Sequence, residues 1–125
     1  MSRITKILCP VDFLRASDAA VHCAANLAAK YGATIHLLHV ITPIAANTCD
    51  HVVDTIDIMK SIQESTMREM HNLVAKLKQG GVVAESEVRI GDVDDEIQQA
   101  IAVIKPDLVL MGRYGRTGIE RLFAG

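Results

Sequence analysis

Apolar positions along the chain follow two periods, one typical of β-strands and the other of α-helices. Short apolar runs at residues 4–11, 34–40 and 108–111 predict buried strands. Residues 82–90 instead alternate between mostly apolar even positions and odd positions that include three charged side chains. This alternation indicates a strand at the edge of a sheet, with one face toward solvent.

Helix signals separate the predicted strands. Ser17 begins a stretch with apolar residues at helical spacing, and Gly32 stands where a left-handed C-cap would end that helix. A long apolar stripe predicts a second helix over about 55–79, and residues 94–104 predict a third. We expect a further helix that begins near Thr117 and runs through the last residues of the chain.

The resulting order is β-α-β-α-β-α-β, followed by a helix. Strands that alternate with helices form a parallel sheet through right-handed crossovers, with helices on both faces. The pattern therefore predicts a doubly wound, Rossmann-like α/β fold. Such sheets bind ligands outside the carboxyl ends of the strands, where the strand order reverses. The ends of the first and fourth strands, Pro10-Val11-Asp12 and Met111-Gly112, are expected to lie there.

Composition agrees with one compact domain that spans residues 1–125. Hydrophobic residues make up 50% of the chain, which excludes a disordered polypeptide. The net charge of −2, without a basic cluster, argues against binding to duplex nucleic acid. Cys9, Cys23 and Cys49 lack CxxC spacing, so we expect free thiols in a reducing cytoplasm. The first apolar run is too short for a signal peptide or a membrane span.

The segment at residues 111–118 carries the most specific pattern. It reads Met-Gly-Arg-Tyr-Gly-Arg-Thr-Gly, and Thr117 with Glu120 has the spacing of a helix capping box. Glycines allow the backbone amides to approach a phosphate, and a helix N-terminus favours an anion. Arg113 and Arg116 add positive charge. From spacing alone, a phosphate-binding loop and an ordinary glycine-rich turn are equally supported. Because the chain has no Gly-Lys-Ser/Thr, this is not a Walker loop.

The loop resembles the signature of the universal stress protein family, Gly-x2-Gly-x9-Gly followed by Ser or Thr, at Gly112, Gly115 and Gly125. Residues 7–13, Ile-Leu-Cys-Pro-Val-Asp-Phe, are similar to the family's first strand and turn, and residues 88–92 to the end of its third strand. The resemblance implies an adenine nucleotide alpha hydrolase-like fold with strand order 3-2-1-4-5. Because the sequence ends at the last signature glycine, we expect the fifth strand to be missing, and a fragment is favoured over a shortened member of the family.

The same resemblance implies a binding site for ATP, with or without Mg²⁺. Asp12 and Val40 would frame the adenine and ribose, and Pro10, Val11 and Met111 would shape the adenine pocket. The signature glycines would hold the phosphates beside the two loop arginines. The predicted nucleotide-binding residues are therefore Pro10, Val11, Asp12, Val40, Met111, Gly112, Arg113, Gly115, Arg116 and Gly125.

Other interpretations of these residues remain open. Asp12 is also a residue type that caps an ordinary turn. His36 and His39 lie three apart on a predicted strand and hence on opposite faces, so they do not form a shared metal site, and we expect no metal ligands.

Three functions remain in consideration. The favoured one is an ATP-binding regulatory module of the stress response that acts as a cytoplasmic homodimer. The alternatives are a dimeric stress-protective interaction protein that binds no nucleotide, and a slow ATPase. The enzyme is the least supported, because the chain lacks a Walker lysine and an identifiable base near the glycine loop.

Overall fold

The computed structural model describes residues 3–13, 15–43, 52–112 and 121–124. All four predicted strands and the first three predicted helices are present, and their boundaries differ from the expected ones by a few residues. In chain order the elements are β1 (Lys6–Pro10), α1 (Arg15–Tyr31), β2 (Thr34–Ile41), α2 (Val52–Gln79), β3 (Ala84–Ile90), α3 (Val93–Ile104), β4 (Leu108–Met111) and β5 (Arg121–Ala124).

The sheet has the order β3-β2-β1-β4-β5. β1 pairs in parallel with β2 on one side and with β4 on the other, and β3 pairs in parallel with β2. The predicted doubly wound α/β fold is confirmed, and β3 is the edge strand that its alternating pattern indicates.

Helices cover both faces of the sheet. Ile7 and Cys9 of β1 pack in the cluster that includes α1 and α2, whereas Leu8 packs with Ile97 and Ala100 of α3. This division follows from the strand period of two, which sends successive side chains to opposite faces. Full burial of each large aliphatic side chain contributes about 1.5–3 kcal/mol, so β1 is held firmly between the two helical layers.

The last segment of the chain corrects one expectation. Residues 121–124 do not continue a helix from Thr117, because Arg121–Ala124 forms β5, antiparallel to β4. Thr117 itself lies outside the described residues. Without β5, the buried strand β4 would present an unpaired row of main-chain donors and acceptors, which favours strand pairing over a helix. Within the described part of the chain, the parallel strands are β3, β2, β1 and β4, and, as expected, a fifth parallel strand is absent. The short antiparallel strand β5 occupies the edge position beside β4.

Local signals at the helix ends agree with their sequence. Gly32 ends α1 with a φ of 69°, and its N–H donates to the Ala28 carbonyl at 2.8 Å, as expected for a C-cap glycine. Asp92 caps α3, since its carboxylate accepts a hydrogen bond from the Asp95 N–H at 3.1 Å.

The amino end of β1 is tied to the start of β4 by one carboxylate. Oδ2 of Asp107 accepts hydrogen bonds from the Thr5 N–H at 2.8 Å, the Thr5 hydroxyl at 2.9 Å and the Lys6 N–H at 3.0 Å. These donors, the Thr5 N–H foremost, hold the pKa of the Asp107 carboxyl below its usual value. The bonds connect residues about a hundred positions apart and help to set the pairing of β1 with β4.

Among the helices that the structure describes, none is both long and apolar enough to span a membrane.

Candidate functional site

The carboxyl ends of β1, β2 and β4 meet at one edge of the sheet. Pro10 pairs with Leu38, and the parallel register carries Val40 to the level of Asp12. On the other side of β1, Leu8 pairs with Val109, so Met111 lies level with Pro10. The fold therefore brings together six predicted site residues, namely Pro10, Val11, Asp12, Val40, Met111 and Gly112.

The other four predicted residues, Arg113, Gly115, Arg116 and Gly125, lie outside the described part of the chain. Their role at the phosphates stays a prediction.

The six residues differ in solvent exposure: three are buried, and three are partly accessible. Pro10, Val11 and Gly112 are buried. Asp12, Val40 and Met111 are only half-buried. Val40 and Met111 pack partly against the α3 cluster, which is formed by Leu8, Leu38, Ile97, Ala100 and Val109. A partly accessible apolar surface beside an acidic residue is typical of small-molecule sites, where few polar groups orient a mostly apolar contact.

The turn from β1 to α1 is held by hydrogen bonds to its main chain. The Val11 N–H donates to the Leu38 carbonyl at 2.8 Å and so extends the strand pairing by one residue. The Asp12 N–H then donates to the Ser17 hydroxyl oxygen at 3.0 Å. Ser17 is 3% exposed, so this bond is shielded from water. α1 begins at Arg15, so Ser17 lies in its first turn instead of at the predicted start, and from there it fixes the main chain of Asp12.

Phe13 has an unusual backbone conformation for its residue type. Its φ is 65°, in the left-handed region that residues other than glycine rarely adopt. Its ring lies 5.0 Å from the His39 imidazole between centroids, tilted by 37°. Nδ1 of His39 lies 2.6 Å from the Val11 carbonyl oxygen. Strained residues of this kind persist only where surrounding contacts hold them in place, and they are found most often at functional sites.

His39 is the residue that sequence reasoning missed at this edge. Its spacing from His36 correctly predicts opposite faces, since His36 contacts Glu85 at 3.2 Å while His39 contacts Val11 and Phe13. The available signal was its position next to Val40 on the strand beside β1. Within the described ranges, no three His, Cys, Asp or Glu side chains group as metal ligands would.

A second group missed from the sequence is Arg89, the pairing partner of Val40 on β3. Its guanidinium donates to a Glu87 carboxylate oxygen at 2.8 Å and lies 3.6 Å from a Glu96 carboxylate oxygen. Its NH1 group also donates to the Glu96 main-chain carbonyl at 3.4 Å. These contacts fix Arg89 between β3 and α3, and its charge is balanced locally.

Comparison with known proteins adds to this geometry. The model of the universal stress protein family matches residues 3–125. A universal stress protein of Methanocaldococcus jannaschii is 25% identical over 123 residues, which cover 96% of this chain and 71% of the relative.

Solved structures show the same fold. The universal stress protein UspA from Lactobacillus plantarum superposes with a TM-score of 0.79 and 23% identity, covering 100% of this chain and 88% of its own. A universal stress family protein of Arabidopsis thaliana, solved with AMP bound, has a TM-score of 0.66 and 23% identity, covering 89% and 78%. From its fold, and from a family match over nearly its whole length, this chain belongs to the universal stress protein family.

Proposed function

We propose that this protein binds an adenine nucleotide, ATP, at the carboxyl edge of β1, β2 and β4. The observation that carries the proposal is that Asp12, Val40, Met111 and Gly112 lie at the carboxyl ends of three neighbouring strands. In doubly wound sheets this edge is where ligands bind. AMP in the Arabidopsis structure supports the same class of ligand.

Each part of the nucleotide has a matching group. The half-buried side chains of Val40 and Met111 offer the adenine ring an apolar contact surface. The carboxylate of Asp12 accepts hydrogen bonds from the ribose hydroxyls, and bonds to a charged acceptor are stronger than neutral ones.

The phosphates bind the glycine loop that follows β4. Gly112 is buried directly after the strand end, and the main-chain N–H groups of the loop donate to phosphate oxygens, beside Arg113 and Arg116. Mg²⁺, where it is bound, accompanies the triphosphate, because this ion is usually held by substrate phosphates together with one or two carboxylates.

The test is to identify nucleotide released from the denatured protein by mass spectrometry, followed by melting scans of nucleotide-free protein with Mg-ATP. A ligand at a hundred times its dissociation constant adds about 2.7 kcal/mol of stability. For a domain of this size, with an unfolding entropy of about 2.1 cal/mol/K per residue, that corresponds to a melting shift of about 10 °C. GTP should bind more weakly, because a mismatched base edge leaves buried polar groups unpaired, which costs about 1–3 kcal/mol.

A substitution in the glycine loop separates a nucleotide site from an ordinary turn. Gly115→Val should abolish ATP binding with the circular dichroism spectrum unchanged, since a β-branched side chain resists positive φ and blocks the phosphates. Gly80→Val is the matched control, because a Cβ there meets only the Leu77 carbonyl oxygen, at an ordinary 3.5 Å. Unchanged ATP affinity in folded Gly115→Val would mean that the loop is an ordinary turn and does not hold the phosphates. Absence of ATP binding by the wild type would favour the interaction protein that binds no nucleotide.

The dimer, the stress response and the cytoplasmic location belong to the same proposal. A homodimer is supported by the family resemblance and by sheet edges whose main-chain groups can pair with a second copy. Sedimentation velocity with and without ATP measures the oligomeric state, and phosphate release from bound ATP tests the slow ATPase. A monomer at all concentrations contradicts the dimer but leaves the nucleotide site intact.

A further inference from the structure

The imidazole of His39 holds the main chain of β1 where the strand ends. Its Nδ1 lies 2.6 Å from the Val11 carbonyl oxygen. A carbonyl oxygen only accepts hydrogen bonds, so Nδ1 carries the proton and donates it. The Val11 N–H in turn donates to the Leu38 carbonyl. β2 therefore bonds both main-chain groups of Val11, one through its backbone and the other through a side chain.

The same ring also contacts the far side of the turn. Phe13 and His39 pack with ring centroids 5.0 Å apart in a tilted arrangement, a favourable geometry for aromatic pairs. Because the φ of Phe13 is 65°, its conformation depends on surrounding contacts to hold it. His39 thus contacts the residue before Asp12 and the residue after it.

The position of His39 on its strand connects this contact to the proposed ligand surface. Val40 follows it directly and packs on the opposite face of the sheet, beside the α3 cluster. His39 packs with Phe13, which belongs to the α1 and α2 layer. Two successive residues of β2 therefore lie beside the proposed site, Val40 on one face of the sheet and His39 on the other.

We propose that His39 is a positioning residue of the nucleotide site. Its imidazole sets the main chain on both sides of Asp12 and thereby fixes where the Asp12 carboxylate meets the ribose. The inference rests on the proposed function. It also goes further, because it assigns a site role to a side chain outside the predicted nucleotide-binding residues. Small displacements of a positioned group have large effects on its interaction with a ligand.

Two substitutions separate the hydrogen bond from the ring contact. His39→Phe keeps a ring against Phe13 but has no donor for the Val11 carbonyl. His39→Asn removes the ring but keeps a donor, because the amide nitrogen of Asn lies as many bonds from the backbone as Nδ1 of His. The matched control is His36→Phe, the same change on the opposite face of β2, where the imidazole contacts Glu85.

Calorimetric titration with ATP measures the effect. We expect His39→Phe to raise the dissociation constant about tenfold, and His39→Asn to stay within about threefold of the wild type. His36→Phe should leave the dissociation constant unchanged. In a double-mutant cycle, Asp12→Asn should cost less affinity in the His39→Phe background than in the wild type, since the carboxylate is then already misplaced.

One measurement needs no nucleotide and no variant. Long-range ¹H–¹⁵N spectra of the ligand-free wild type should show the His39 proton on Nδ1. A proton on Nε2 alone would overturn the proposal, even if both variants failed to fold.

The binding outcomes distinguish this inference from the proposed function. If the wild type binds ATP and His39→Phe binds it equally well, the positioning role is wrong and the nucleotide site stands. Equal losses in the Phe and Asn variants also reject the role of the hydrogen bond. If the wild type binds no adenine nucleotide, the proposed function fails, and the role of His39 fails with it.

Discussion

Side chains bond the main chain of β1 at both of its ends, and the two ends differ in the groups that do so. At the amino end, the carboxylate of Asp107 accepts three hydrogen bonds from Thr5 and Lys6. At the carboxyl end, the hydroxyl of Ser17 accepts from the Asp12 N–H, and the imidazole of His39 donates to the residue before it.

The two ends of β1 also differ in the role of the aspartate found there, Asp107 at one end and Asp12 at the other. The carboxylate of Asp107 accepts hydrogen bonds from other residues, and these donors lower its pKa. Asp12 is itself the residue that is held, and it is followed by Phe13 in a left-handed conformation. A carboxylate at the amino end therefore serves the fold, whereas the carboxyl end places an acid at the edge where parallel sheets bind ligands.

The largest expected effect comes from Leu8, the residue in the middle of β1. Leu8 is 0% exposed, so Leu8→Ala should lower the free energy of unfolding by about 2–5 kcal/mol. Urea denaturation followed by circular dichroism measures it, with Val103→Ala, at a side chain 73% exposed, as the control. A loss as small as the control's would mean that Leu8 does not pack against α3 as the structure places it.

The comparison predicts that the two acids respond differently to the same change. Asp12→Asn should weaken ATP binding about tenfold or more, because the complex then loses a bond to a charged acceptor. Asp107→Asn is its matched control and should lower the melting temperature without changing ATP affinity. If Asp107→Asn weakened ATP binding and Asp12→Asn lowered only the melting temperature, the roles assigned to the two ends of β1 would be wrong.

A loss of stability smaller than that of Leu8→Ala should follow from removal of the Ser17 hydroxyl. Ser17→Ala leaves the N–H of Asp12 without its partner in a partly buried turn, which costs about 1–3 kcal/mol. Thermal denaturation and ATP titration should show both a stability loss and weaker binding. Ser61→Ala, at an exposed position of α2, should show neither. If Ser17→Ala alters stability alone, the turn does not control the site.

The smallest expected effect is the pH dependence of the amino end. Because the pKa of Asp107 is lowered in the folded state, the unfolded state takes up its proton first as the pH falls. Its stabilisation is present above the ordinary aspartate pKa of about 3.9 and is lost as the pH falls through the lower folded value. Melting curves of wild type and Asp107→Asn should therefore differ at pH 7 and converge below about pH 4. A constant difference would place the cause elsewhere.

Much of the molecule follows from local pattern. The buried strands at 34–41 and 108–111, the alternating edge strand and the C-cap at Gly32 were all predictable, because each depends on the spacing of neighbouring side chains. The positions of Asp12 and Met111 at the same sheet edge follow from strands that alternate with helices.

Contacts between residues far apart in the chain were not predictable in this way. The apolar residues within Arg121–Ala124 are equally compatible with the end of a helix. They form a strand because they pair with the edge of β4, which would otherwise be exposed. The bond from His39 to Val11 spans 28 positions, and no spacing rule relates two residues that a crossover helix separates. Periodicity specifies which face a side chain occupies, but its partner on that face depends on strand register, which forms only when the whole sheet assembles.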